Sequence, residues 1–291
     1  MAAECAPGAG PAAETGLKPA LFGTDAIVAP SKPDAILRYA DHPRGFAELR
    51  LPKDKGPFPL AVIFHGGCWK TGIATQAYMA PLATRWQELG IATLNVDYRE
   101  VGDGGGWPGS FVDWDAAADL IRTLAPKYPV DLTRVTLVGH SAGALPAQWL
   151  AATSGSDGPV PNRLPTFAQN AIVFDGLSDL ARESEAFDGL CKFKSVAPFM
   201  GGTFAEVPAR YAAIGPLAHA PRLRHLIFVQ AVLTPPNDVA FEALKAAGVR
   251  VTVYANPGAS HFSVITPGAP EYQAVETELL CWLMQRGTKR T

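Results

Sequence analysis

The chain has 291 residues, of which 48% are hydrophobic and 18% charged, with a net charge of −2 and a pI near 6.3. That supplies enough apolar material for one large core and excludes a disordered or fibrous chain. With no stretch that concentrates Lys and Arg there is no basic field to gather phosphates, so nucleic acid is not an expected partner.

The opening segment MAAECAPGAGPAAETG is rich in Ala, Gly and Pro and lacks the charged start and apolar centre of a secretion signal. Residues 1–44 therefore read as a flexible leader and N-terminal extension, and residues 45–291 as one domain. A cytoplasmic location and export after removal of a signal both stay open. Ala61–Phe64 and Ala171–Phe174 are strand-sized apolar runs, far short of the roughly 20 residues of a membrane helix, so no bilayer span is expected.

In chain order, Ala47–Pro52 alternates like a half-exposed strand, KDKGPFP turns, and LAVIFHGG follows as a buried strand. Ala77–Leu89 has helical spacing and is stopped by Gly90 before the strand IATLNVDYR. VGDGGGWPGSF is too glycine-rich to be regular, and a helix resumes over Phe111–Leu124. RVTLVGHSAGALPAQWLAAT reads as strand, tight turn and helix, and NAIVFDG as another strand. Residues 177–222 break the alternation with mixed charge and two glycine turns, which predicts a small cap-like helical insertion. Order returns with the strand HLIFVQ, a helix over PPNDVAFEALKAAG, the strand VRVTVYAN and a last helix over Glu271–Gln285. Strands alternating with helices predict an α/β fold, a mostly parallel sheet covered on both faces, with ligands at the carboxyl ends of the strands.

Gly139-His140-Ser141-Ala142-Gly143 matches G-x-S-x-G between a strand and a helix, the setting that exposes a serine oxygen on a strained turn. His65-Gly66-Gly67-Cys68-Trp69 follows another buried strand. The amides of Gly66 or Gly67, with that of Ala142, can aim at one point near Ser141 as an oxyanion hole. The four cysteines Cys5, Cys68, Cys191 and Cys281 have no metal-binding spacing. A Cys68–Cys191 disulfide suits an exported protein and free thiols suit any other, and the pairing stays open. GDGGG at 102–106 lacks the Lys-Ser/Thr of a phosphate loop.

HGGxW, then GxSxG, then a late Gly-x-x-His together resemble the α/β-hydrolase superfamily over roughly residues 45–285. The HGGxW form is similar to the serine esterase and kynurenine formamidase branch, and Gly201–Tyr211 to a stretch in such esterases and in prolyl-oligopeptidase-like proteins. The resemblance implies an α/β-hydrolase fold, Ser141 as nucleophile and His261 as its base. It also implies that Asp97-Tyr98-Arg99 is a structural element, an arginine and an aspartate holding the loops under the site. The family's usual acid follows the strand that here reads HLIFVQ, but QAVLTPPND lacks it. Thr234-Pro235 reads as a helix cap that puts Asp238 in the first turn. Some lipases carry the acid after the preceding strand, where this chain has Asp175, the residue assigned here. Asp238, Asp179 and Glu185 are the other carboxylates in reach.

The expected function is cleavage of small or medium carboxylic esters through an acyl-enzyme, with no metal or organic cofactor. Trp69, Trp107 and Phe262 are candidate pocket walls. Amide cleavage by a formamidase or peptidase would use the same residues, and a chain without the usual acid could also be an impaired hydrolase kept as a binding protein.

Overall fold

The computed structural model describes residues 29–153, 170–215, 223–233 and 238–284. Eight strands form one sheet: β1 (Ala35–Arg38), β2 (Phe46–Arg50), β3 (Phe58–Phe64), β4 (Ala92–Val96), β5 (Val130–His140), β6 (Asn170–Phe174), β7 (His225–Gln230) and β8 (Arg250–Ala255). Their order is β1-β2-β4-β3-β5-β6-β7-β8, with β1 and β2 antiparallel at one edge and the rest parallel.

The parallel strands are apolar on both sides because both sides are covered. Leu60, Val62 and Phe64 of β3 face one core, with Phe111 and Trp114 of α2 (Gly109–Arg122) and Trp149 of α3 (Ala144–Thr153). Their neighbours Ala61 and Ile63 face the other, with Leu82 and Trp86 of α1 (Ala80–Glu88) and Tyr272 and Leu279 of α8 (Pro270–Met284). The period of two along a strand divides one run between two cores.

Two predicted elements differ in detail. The helix expected over Ala77–Leu89 is a 3-10 turn at Gln76–Met79 running into α1, with Pro81 in the first turn of α1, where its missing N–H costs nothing. Part of the presumed N-terminal extension belongs to the sheet: β1 pairs with β2, Ala35 opposite Leu49, and Arg44 is tied into the centre of the molecule. A four-residue edge strand alternating between half-buried and exposed positions carries too little apolar signal to be read locally.

Between β6 and β7 the insertion holds α4 (Leu180–Cys191), α5 (Val196–Met200) and α6 (Pro208–Ile214). Residues 216–222 of the predicted insertion, residues 1–28, the cap at Thr234-Pro235 and Gln285 lie outside the described residues. α4 and α5 dock by aromatic packing, Trp69 lying 4.8 Å from Phe187 and 4.5 Å from Phe199 between ring centroids. A disulfide joins Cys68 to Cys191 at the end of α4, closing a loop across a sequence separation of 123.

A closed loop of that size removes much unfolded-chain entropy, about 3–5 kcal/mol of stability in the chain-entropy account. Replacing Cys68 and Cys191 together by Ala should lower the thermal midpoint by on the order of 10 °C, as read by calorimetry. A midpoint within a degree or two of wild type would show that the aromatic docking alone carries the insertion.

Candidate active site

β5 ends at His140 and α3 begins at Ala144, so the chain turns from strand to helix within Ser141–Gly143. Ser141 has φ +56°, a left-handed conformation that costs a side-chain-bearing residue about 1–2 kcal/mol. Close packing holds it there. A Cβ on Gly139 would lie 1.9 Å from the Gly143 carbonyl oxygen, and one on Gly143 would lie 2.2 Å from that of Phe64, so both positions admit only glycine. A Cβ on Gly66 would meet the Ser141 Cβ at 2.8 Å, which measures how closely the HGG loop passes the serine.

Asp175 follows β6 and is fully buried. Its Oδ1 accepts from the amides of Ala231 and Leu233 at 2.9 Å each, and Oδ2 from the Val232 amide at 3.1 Å and from His261 Nδ1 at 2.6 Å. Burial alone would raise its pKa, but the His261 hydrogen bond and charge and the backbone amides outweigh it and hold the carboxyl below the usual range. With Nδ1 donating to Asp175, a neutral His261 keeps its lone pair on Nε2. Among the described residues no hydrogen bond joins His261 to Ser141. Their loops are tied instead through His140, whose ring lies 4.5 Å from that of His261 and whose Nε2 donates to the His261 carbonyl at 2.8 Å.

Two of the competing carboxylates, Asp179 and Glu185, lie elsewhere. Asp179 caps α4, accepting from the amides of Ala181 and Arg182, and Glu185 is exposed on the same helix. Asp238 opens α7 (Asp238–Ala246), and its side chain is outside the described residues.

The two glycines of the HGG loop separate in role. The Gly66 amide donates to the Tyr78 hydroxyl, and the Gly66 carbonyl accepts from His65 Nδ1 at 2.6 Å. Gly67 has φ +118° and its amide belongs to the peptide unit fixed by that carbonyl. Trp69 Nε1 donates to the Ala142 carbonyl at 3.0 Å, pinning the loop to the serine turn.

Beneath the loop, Asp97 does act as a brace, but its arginine is Arg44. Arg44 Nε and Nη2 donate to Asp97 Oδ1 at 3.0 and 2.8 Å, and Nη1 donates to Glu100 at 2.6 Å, while Arg99 pairs with Asp113 at 2.7 Å. Burial pushes Glu100 up despite the neighbouring charges of His65 and Arg44. Asp97 is held low because its hydrogen bonds to His65 and Arg44 outweigh burial.

A cavity of about 400 Å³, counted to its open mouth, opens beside Ser141. Trp69, Leu145, Leu177, Leu180, Tyr211 and Ile214 give it apolar walls, with Gln148, Ser178 and Asp179 as polar points. Trp107 packs on Phe111 and Phe262 on the His140 and His261 rings, so of the three expected wall residues Trp69 is the one in place. Gln148 Nε2 donates to the Ala144 and Leu177 carbonyls, and its buried Oε1 has no partner among the described residues. Among those residues no cluster of three His, Cys, Asp or Glu side chains is placed to hold a metal ion, and no helix is long and apolar enough to cross a membrane.

Burial, reinforced by the His261 charge, lowers His140 from the ordinary 6.5 to about 3, against a smaller opposing pull from its bond to the His261 carbonyl and from Asp175. The unfolded chain therefore takes up a proton that the folded chain refuses, and stability should fall as pH drops from about 6.5 towards 3. Urea unfolding of His140→Asn should show a flatter loss across that window, whatever its stability at pH 8; an unchanged slope would remove His140 as the source.

A family model described as BD-FAE matches residues 48–228. Among solved structures, a bifunctional GH43-CE protein of Bacteroides eggerthii superposes with a TM-score of 0.66 at 19% identity, over 84% of this chain and 37% of that one. The present chain thus spans little more than a third of that protein. A truncated carbohydrate esterase from gut microbiota gives 0.68 at 16% identity over 88% of this chain and 98% of that one. Esterase Est2 of Thermogutta terrifontis with propionate bound gives 0.63 at 21% identity over 88% and 96%. At such identities the likeness speaks for the fold. No curated protein matches the sequence. The family match runs from β2 through β7 and covers well over half of the sequence, and the chain belongs to the BD-FAE family, an α/β-hydrolase-type esterase domain.

Proposed function

We propose that this esterase domain hydrolyses small or medium carboxylic esters through an acyl-enzyme on Ser141, with His261 as base, Asp175 as the acid that orients it, and the amides of Gly67 and Ala142 as the oxyanion hole. The observation that carries the assignment is the 2.6 Å hydrogen bond from His261 Nδ1 to a buried carboxylate, formed beside a serine in a left-handed turn.

His261 Nε2 takes the Ser141 proton as Oγ attacks the ester carbonyl, and the oxygen of the tetrahedral intermediate becomes an anion facing the two amides. Collapse breaks the bond to the alcohol, which leaves with the proton from Nε2. Water then repeats the sequence: it gives a proton to His261, attacks the acyl carbon and returns Ser141 to its hydroxyl form as the acid departs. Asp175 stabilises the imidazolium at each stage and keeps the ring in the Nδ1–H tautomer. Gly66 has no place in the oxyanion hole, because its amide already donates to Tyr78. The reading as an impaired binding protein rested on a missing acid, and a carboxylate bonded to His261 takes away that ground.

The test is hydrolysis of p-nitrophenyl acetate and butyrate, with the matching anilides for amide cleavage. Esters should be turned over and anilides scarcely. Ser141→Ala should abolish turnover, and Asp175→Asn should cut kcat by about 10³–10⁴-fold through the wrong tautomer. Asp238→Asn, at a helix first turn, should stay within about twofold of wild type. Equal inertness of wild type and Ser141→Ala on every ester would overturn the proposal.

A further inference from the structure

We propose that Tyr78 is a positioning residue for this reaction: its hydroxyl couples the peptide unit that precedes the oxyanion donor, the nucleophile turn and the histidine loop through one hydrogen-bonded chain. The inference rests on the assignment of Ser141, His261 and Gly67 above.

Tyr78 sits in the 3-10 turn Gln76–Met79 that precedes α1, outside every motif. Its hydroxyl contacts two groups, the Gly66 amide and His140 Nδ1, the latter at 2.8 Å. The direction of each bond follows from chemistry. The partner of His140 Nε2 is the His261 carbonyl, which can only accept, so Nε2 carries the proton. A neutral ring then has a bare Nδ1, which must accept, so the Tyr78 O–H donates to it. The Tyr78 oxygen is left to accept from the Gly66 N–H. The chain runs Gly66 N–H to Tyr78 O–H to His140 Nδ1, and from His140 Nε2–H to the carbonyl of His261 itself. Burial keeps the ring in this uncharged form and pushes the Tyr78 hydroxyl up as well, so that neither group titrates near neutrality.

The consequence falls on Gly67. The Gly66–Gly67 peptide unit is held on its carbonyl by His65 Nδ1, and the preceding unit is held on its N–H by Tyr78. Two glycines in sequence would otherwise let the Gly67 N–H swing, since neither has a Cβ to restrict it. An oxyanion donor works only if its direction is set before charge develops. Phe262 covers the assembly, its ring 6.0 Å from that of Tyr78 and 5.4 Å from that of His140.

Tyr78→Phe keeps the ring and deletes the oxygen. For p-nitrophenyl acetate, kcat should fall about 10–100-fold with KM within about twofold, the pattern of an interaction made in the transition state. Affinity for a trifluoromethyl ketone, which forms the same oxyanion on Ser141, should fall in parallel. ¹⁵N spectra of wild type should show His140 protonated on Nε2 and bare on Nδ1, a readout independent of turnover. A Tyr78→Phe variant that melts earlier yet keeps both kcat and ketone affinity would reduce Tyr78 to a structural residue. A proton on Nδ1 would reverse the chain and overturn the proposal. An inert wild type sinks the esterase assignment itself, whereas an active wild type with an indifferent Tyr78→Phe sinks only this inference.

Discussion

The packing of Gly143 against the carbonyl groups at the end of β3 sets where everything else in the site can be. β3 and β5 run parallel with Phe64 opposite Gly139, so the two strands finish at one level, and the HGG loop and serine turn leave the sheet side by side. The register then passes along the sheet. His140 stands opposite Phe174, and Phe174 opposite Val229. Gln230 stands opposite Ala255. Asp175, the amides of 231–233 and the loop carrying His261 therefore emerge at the same height. Any side chain at 143 would push the turn away from β3 and shift the serine relative to all three.

A buried carboxylate is costly unless its lone pairs are used. Asp175 uses its own through three backbone amides of the turn after β7 and one imidazole, and that turn is where the resemblance to the superfamily leads one to expect the acid itself. Here the same turn supplies donors instead of a carboxylate. The carboxylate stands at the end of β6, and the β6–β7 register brings it level with the turn after β7 and with His261.

The strand–helix alternation, the serine turn and the HGG loop could be read from the sequence because each rests on local constraints: a period of two, a glycine that must be a glycine, a strand followed at once by a helix. Asp175 could be proposed because it directly follows the apolar strand at whose end, in the superfamily the sequence resembles, some lipases carry their acid. Arg44 and Tyr78 could not. Arg44 lies in a short stretch without periodicity and gains its role from Asp97, Glu100 and Asp103, which reach it across the fold. Tyr78 reads as an ordinary helix-face aromatic, and its meaning comes from His140, a residue the G-x-S-x-G pattern treats as a free position. Gln148 is the same kind of case, an amide on an apolar helix whose orientation is set by the Leu177 carbonyl beyond β6. Pairings between distant segments leave no mark on local pattern.

The Cys68–Cys191 bond has a topological consequence apart from stability. It turns residues 68 to 191 into a covalent ring that contains the serine turn and Asp175, with His261 on the tail that leaves it. A single break of the backbone anywhere in that ring leaves one molecule rather than two: a cut before Ser141 leaves Ser141 and His261 on one peptide, and a cut between Ser141 and Cys191 leaves them joined through sulfur. The site can thus survive a cut in its own scaffold, and reduction after such a cut would be the event that separates its parts.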